Sequence, residues 1–271
     1  MLNHSALLSL LEQVETLVAE VGVYQCAQFR RRAPGGGDQK AEREFVSEVD
    51  RHSEALLIDG LTPLCPTAGF FGEESGKHGD QSLCWVIDPL DGTTNFLSGL
   101  DQFSISVALQ QNGQSLLGMV YKPVTKECFR GWRGGALQHN GQSCRRANPQ
   151  LTLAQALLGT GFPYRSPDLA APFFACAAEL LPQSRGIRRM GSAALDLSYL
   201  AAGYLQGFWE ADLQPYDVAA GLLFLELSGC HVTNQAGQPY RQGVDRLLVC
   251  GWPQVHAAML ATIATHYPSI T

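Results

Sequence analysis

Four short segments of this chain carry carboxylates at spacings that suit divalent-cation chemistry on a phosphate. The densest is Asp88-Pro89-Leu90-Asp91-Gly92-Thr93-Thr94-Asn95-Phe96. Asp88 follows Trp85-Val86-Ile87, so it ends a short buried strand, where a carboxylate is costly unless paired or metal-bound. Pro89 removes a backbone donor and stiffens the turn, so Asp91 can reach the same ion. Gly92-Thr93-Thr94 opens a short helix whose free N–H groups suit a phosphate. Glu73-Glu74 lies just upstream, Asp217 stands at a helix start behind Pro215, and Asp50 closes Ser47-Glu48-Val49-Asp50. Oxygen donors with no His or Cys beside them favour Mg2+ over zinc, and a set this distributed suits two or three ions around a phosphate. Each piece alone has an ordinary reading: Asp-x-x-Asp-Gly is common in turns, a Glu pair is a solvated surface feature, and an Asp at a helix start is an N-cap. The four together are much harder to explain that way.

The elements that must position these groups follow from periodicity. Leu7, Leu10, Leu11, Val14, Leu17, Val18 and Val21 recur at helical spacing and predict an amphipathic helix running to about Arg30. Ala33-Pro34-Gly35-Gly36-Gly37-Asp38 breaks it as a loop; the Lys-Ser/Thr that ends a P-loop is missing. A second helix is expected over Val49 to Gly60. Strands are expected at Cys84 to Ile87, Phe103 to Leu109, Leu116 to Tyr121, Cys128 to Trp132 and Ala136 to His139, a run that suggests an antiparallel sheet. Beyond Asn148 strands and helices alternate. The strands fall at Ala156 to Thr160, Gly186 to Arg189, Gly207 to Glu210 and Leu247 to Cys250. The helices fall at Leu169 to Leu181, Ser192 to Ala202, Val218 to Ser228 and Gln254 to His266. A soft boundary near 148 to 152 divides the chain into halves 1–150 and 151–271, the first carrying most of the acidic groups.

Composition narrows the function classes. The 271 residues are only 16% charged, below the roughly 25% usual for soluble proteins, which rules out ordinary disorder. A formal charge of −6 and a single basic cluster, Arg30-Arg31-Arg32, speak against nucleic acid as the main ligand. The first twenty residues lack a signal-peptide pattern, and no apolar run reaches membrane-spanning length. The eight cysteines are scattered with no Cys-x-x-Cys pair, which reads as buried thiols of a cytoplasmic protein. The seven histidines lie outside the acidic segments and read as structural or surface residues.

The segment from Asp88 to Phe96 resembles the first signature of the inositol monophosphatase family of Mg2+-dependent, lithium-sensitive phosphatases. Asp217-Val218-Ala219-Ala220-Gly221, with Glu226 and Gly229, is similar to its second signature. The segments at Asp50 and Glu73, and Arg189-Met190-Gly191-Ser192-Ala193-Ala194 with Asp196-Leu197, also match, so the resemblance covers essentially the whole chain. It implies an α+β fold, a layered α/β/α/β/α sandwich, usually a homodimer. It assigns Glu73, Asp88 and the Leu90 carbonyl to one Mg2+, Asp88, Asp91 and Asp217 to a second, and a third, weaker ion to the neighbourhood of Glu73. Asp50 would hydrogen-bond Thr93, Thr93 and Glu73 would orient and activate the attacking water, and the N–H groups of Gly92 and Thr93 would hold the phosphate. Asp91, Ala193, Glu210 and Asp217 would face the substrate.

The implied activity is hydrolysis of myo-inositol monophosphate or a similar small polyol phosphate. Alternatives are related sugar-bisphosphate, histidinol-phosphate or 3′-phosphoadenosine-5′-phosphate phosphatases, or a regulatory binding protein on the same fold. Two positions depart from the family pattern: Tyr216 stands where Trp is usual and Ser228-Gly229 where Gly-Gly is usual. Lys40 is the candidate for the family's lysine near the third ion.

Overall fold

A computed structural model describes the backbone of residues 4–30, 38–41, 44–46 and 48–267, with side chains for 4–30 and 48–267. The long helix α1 (His4–Gln28) leads to a hairpin of β1 (Asp38–Ala41) and β2 (Glu44–Val46), then α2 (Glu48–Leu61). The first large sheet takes β3 (Gly69–Gly72), β4 (Gly76–His78) and β5 (Leu83–Asp91), the short α3 (Thr93–Ser98), and β6 (Ser104–Gln111), β7 (Gln114–Lys122), β8 (Glu127–Trp132), β9 (Gln138–His139) and β10 (Gln142–Ser143). The remainder is β11 (Leu157–Thr160), α4 (Ala170–Leu180), β12 (Gly186–Arg188), α5 (Ala193–Ala202), β13 (Gly207–Ala211), α6 (Pro215–Ser228), β14 (His231–Thr233), β15 (Leu247–Gly251) and α7 (Pro253–His266).

Eight strands form a sheet in the order β10-β9-β8-β7-β6-β5-β3-β4, and five form a second in the order β12-β11-β13-β15-β14. The period-2 alternation of β5 decides how the layers stack. Trp85 and Ile87 face α1 and α2, packing with Leu11, Val14 and Leu57. Cys84 and Val86 face the opposite way, onto the α5–α6 pair with Leu197, Val218 and Phe224. That pair also covers one face of the small sheet through Phe208, Leu248 and Cys250. The other face, with Leu158, Trp209 and Val249, is covered by α4 and α7. The result is the five-layer α/β/α/β/α sandwich that the family resemblance implies.

Several details differ from the sequence reading. The large sheet is antiparallel except that β3 pairs parallel with β5, and in the small sheet β11 runs parallel to both β12 and β13. Strands β3, β4, β10 and β14 are too short, at two to four residues, to show a period. The eight cysteines are free thiols, but Cys26 is exposed and Cys144 and Cys230 are only half-buried. Cys26 lies on the face of α1 turned away from the core. No described helix is long and apolar enough to cross a membrane. Residues 33–37 of the expected loop and the Lys40 side chain lie outside the described residues, and Asp38, expected in that loop, opens β1 instead.

The seating of α7 carries a pH dependence. His256 is 4% exposed, and its Nε2 lies 2.9 Å from the Thr233 hydroxyl. Burial, and then the neighbouring His231, lower its pKa from 6.5 to about 4. The unfolded chain therefore takes up this proton first. Its contribution to stability is whole above about pH 6.5 and is lost as the pH falls towards 4, on the order of 3 kcal/mol. Urea denaturation from pH 7 to 4 is expected to show that slope in the wild type and a shallower one in His256→Gln.

Candidate metal and phosphate site

The site begins at the end of β5. Strand partners are Asp88 with Ser106 and Asp91 with Ser104, so three steps on β5 oppose two on β6. The extra residue is a β-bulge. Without it, residues three apart would point to opposite faces of the sheet; with it, both carboxylates point to the same face. Pro89 sits in the bulge, where no ladder donor is needed, and its carbonyl accepts from Gln25 Nε2 at 2.7 Å. This is the physical content of the Asp-Pro-Leu-Asp spacing.

Two further elements converge there. The parallel pairing of β3 with β5 brings the strand ends together: Gly72 lies beside Ile87, and Glu73 donates its N–H to the Ile87 carbonyl at 3.1 Å. The Glu73 carboxyl thereby comes within hydrogen-bond reach of Asp88. From the other side, α6 presents Asp217 in its first turn. One Asp217 oxygen accepts the Gln214 N–H at 2.7 Å, which fixes the carboxylate's direction, and Arg165 stands 3.8 Å away. Oxygens of Asp88, Asp91 and Asp217 lie within 4.8 Å of one another.

Such a cluster holds protons when no cation is present. Burial, then Glu73, Asp91 and Asp217, push the Asp88 carboxyl far above the carboxylate range. Burial lifts Asp91 to about 6 against the hydrogen bonds from the Ser192 hydroxyl (2.6 Å) and the Ala194 N–H (2.7 Å). Burial and Asp91 lift Asp217 to about 7 against Arg165. Hard oxygen donors that repel one another this strongly fit a divalent cation.

The other expected residues surround this cluster. Thr93 opens α3, and its hydroxyl donates to Asp50 Oδ1 at 2.7 Å, with the Leu90 carbonyl at 3.1 Å. Gly92 precedes it at φ +100°. Ala193 is buried in the first turn of α5, its N–H directed at Asp91. Glu210 follows the buried part of β13 and is itself half-buried; desolvation, then Asp217 and Asp91, raise it to about 8 against Arg189 and Arg165. Tyr216 meets Phe71 edge-on at 5.9 Å, so the ring that stands in for the usual Trp still packs as an aromatic wall.

The profile of the inositol monophosphatase family matches residues 8–268. The chain belongs to that family. A Rhizobium meliloti protein named inositol-1-monophosphatase is 36% identical over 274 residues, 98% of each chain. A Salmonella typhimurium protein named Nus factor SuhB is 39% identical over 227 residues, 83% of this chain and 84% of its own. The crystal structure of extragenic suppressor protein suhB from Bartonella henselae superposes with a TM-score of 0.87 at 29% identity, covering 94% of this chain and 98% of that one. Membership in the inositol monophosphatase family supports a phosphatase acting on a phosphorylated substrate.

Several polar residues of this inositol monophosphatase fold were not singled out as site residues in the sequence. Asn95 donates to the carbonyls of Gln102 (2.7 Å) and Met190 (2.8 Å), clamping the segment before α5 against α3. Gln25, Glu54 and Ser192 also contact the site's backbone or carboxylates. Asp196 is buried beside Glu210, and its Oδ1 has no hydrogen-bond partner. Asn95, Ser192 and Asp196 lie within segments that carry the family resemblance, though without an assigned role; Gln25 and Glu54 lie outside them, and the one available signal for Glu54 is its place four residues after Asp50, on the same helical face.

Proposed function

We propose that the protein is a Mg2+-dependent phosphomonoesterase acting on myo-inositol monophosphate or a similar small polyol phosphate. The observation that carries this reading is the convergence of Asp88, Asp91 and Asp217 from β5 and α6 within 4.8 Å, with Glu73 against Asp88. Glu73, Asp88 and the Leu90 carbonyl would hold one ion, and Asp88, Asp91 and Asp217 a second, with a weaker third near Glu73. When bound, these ions activate water and neutralise charge on the phosphoryl group and the departing oxygen.

The chain's own groups do the positioning. The short, charge-assisted bond from Thr93 to Asp50 takes the hydroxyl proton, leaving the Thr93 oxygen to accept one from water. Glu73 provides the second acceptor that orients this water and takes up its proton. The N–H groups of Gly92 and Thr93 face the phosphate, and Asp91, Ala193, Glu210 and Asp217 face the polyol hydroxyls. Halves 1–150 and 151–271 each contribute, the second through Asp217 and the polyol-facing residues.

Further parts of the proposal are a cytoplasmic location, lithium sensitivity and a homodimer. Self-association is supported by exposed Phe174 (60%) on α4 and Leu181 (55%) just past its end. A regulatory binding role has one observation in its favour, the similarity to proteins named Nus factor SuhB. The full carboxylate set favours turnover. Phosphate release should be measured across polyol, sugar, histidinol and nucleotide monophosphates and bisphosphates, with and without lithium. Preference for inositol monophosphate with lithium inhibition is expected; release from a nucleotide substrate alone would contradict the substrate assignment, and release from none would sink the enzyme reading.

A further inference from the structure

Helix α2 carries a second buried carboxylate that has no place in the reading above. Glu54 is 2% exposed and one helical turn beyond Asp50, so both point towards the site. Asp50 reaches Thr93, while Glu54 reaches the turn after β3. Its Oε2 accepts the Glu74 N–H at 2.9 Å, and its Oε1 accepts the Ser75 N–H at 2.8 Å. The Glu73 N–H is already bonded to Ile87. Three consecutive N–H groups of the turn are therefore held, two of them by a single side chain. Gly72 leaves room for it: a Cβ there would lie 2.5 Å from Glu54 Oε2.

We propose that Glu54 is a positioning residue, which sets the direction of the Glu73 carboxylate by fixing the backbone of residues 73–75. Glu73 is the one expected ligand supplied by a turn rather than by a strand end or a helix. A turn of this kind ordinarily holds its shape only through side-chain or water partners. A charged acceptor buried with two backbone donors is a strong bond, and it works without touching an ion or substrate. Residues that orient a ligand from behind govern metal affinity, typically by 10- to 100-fold on removal. The inference rests on the proposed metal-binding role of Glu73, but its backbone part does not.

Two variants test it: Glu54→Gln, which leaves one carboxylate-like acceptor and turns an NH2 group towards the other N–H, and Gly72→Ala, which displaces an intact carboxylate. Hydrogen exchange on metal-free protein reads the turn directly, and Mg2+ titration by calorimetry reads the ligand set. In both variants the peptide spanning residues 73–75 is expected to exchange faster. The Mg2+ dissociation constant should rise at least about tenfold, and substrate KM at saturating Mg2+ should stay near wild type. Unchanged exchange, or unchanged Mg2+ affinity in variants whose turn is loosened, would overturn the proposal. Absence of Mg2+ binding by the wild type would instead refute the metal reading, while the exchange result would still decide whether Glu54 holds the turn.

Discussion

Asp91→Asn is expected to lose phosphate release by about 10²–10³-fold or more while making the metal-free protein more stable. Asparagine keeps the acceptor that Ser192 and the Ala194 N–H use, so the connection between β5 and α5 survives. It replaces the other oxygen by an amide or turns it away, and removes one negative charge from the cluster proposed to bind a cation. The stability effect follows from the raised pKa. Asp91 titrates near 6 in the fold against 3.8 in the unfolded chain, so the folded state holds its proton more tightly. Stability falls as the pH rises from about 4 to 6, and above that the ionised group costs on the order of 2 kcal/mol after allowance for its partial exposure. Metal-free Asp91→Asn should thus melt above metal-free wild type at pH 7.5, with the gap closing towards pH 4. Added Mg2+ should raise the melting temperature of the wild type alone. Thermal melts with and without chelator, beside a phosphate assay, check both halves; a variant that keeps turnover or loses stability at pH 7.5 contradicts the account.

Gly92→Ala is the second large effect. Gly92 has φ +100°, where an L side chain is strained by about 1–2 kcal/mol. The added Cβ would lie 2.7 Å from the Gln102 carbonyl oxygen and 3.2 Å from that of Gly191. Both obstacles are backbone, and Asn95 bonds to both carbonyls, so neither can swing aside cheaply. The total cost is expected to be about 3 kcal/mol or more, within the range of severe single substitutions. The start of α3 must shift, and with it the Thr93 hydroxyl and the N–H groups proposed to face the phosphate. Activity should fall at least about 100-fold, with KM rising as well as kcat falling, because binding and water positioning are lost together. Steady-state kinetics on folded variant protein, with its denaturation midpoint, measures both. A stable variant with wild-type KM would show that this turn is not part of the phosphate seat.

The main elements were legible because α1 and β6 are long periodic segments, each committing a whole face. Their stacking in five layers came from the family resemblance, not from periodicity. Asp88 and Asp91 were legible because their meeting is local, set by Pro89 and one bulge. What stayed hidden is non-local. Gly69 to Gly72 is too short to show strand period, so nothing in the sequence announced the parallel pairing that brings Glu73 to Asp88. Gln25 reads as an ordinary polar residue inside a helix, although it is buried and bonded to the Pro89 carbonyl 64 residues away. Glu54 was not singled out in the sequence, and only the tertiary fold shows that two backbone donors hold it. Ser192, by contrast, opens α5 as a serine at a helix start should, and its second bond, to Asp91, appears only once the halves meet.

The central claim is that this carboxylate cluster hydrolyses a phosphomonoester through bound Mg2+. It is tested most directly by following inorganic phosphate release from myo-inositol monophosphate while Mg2+ is titrated into chelator-treated wild-type protein. No release is expected at zero Mg2+, saturable turnover as Mg2+ is added, and loss of that turnover when chelator is restored. Release that persists in chelator, or none at any Mg2+ concentration, would contradict it.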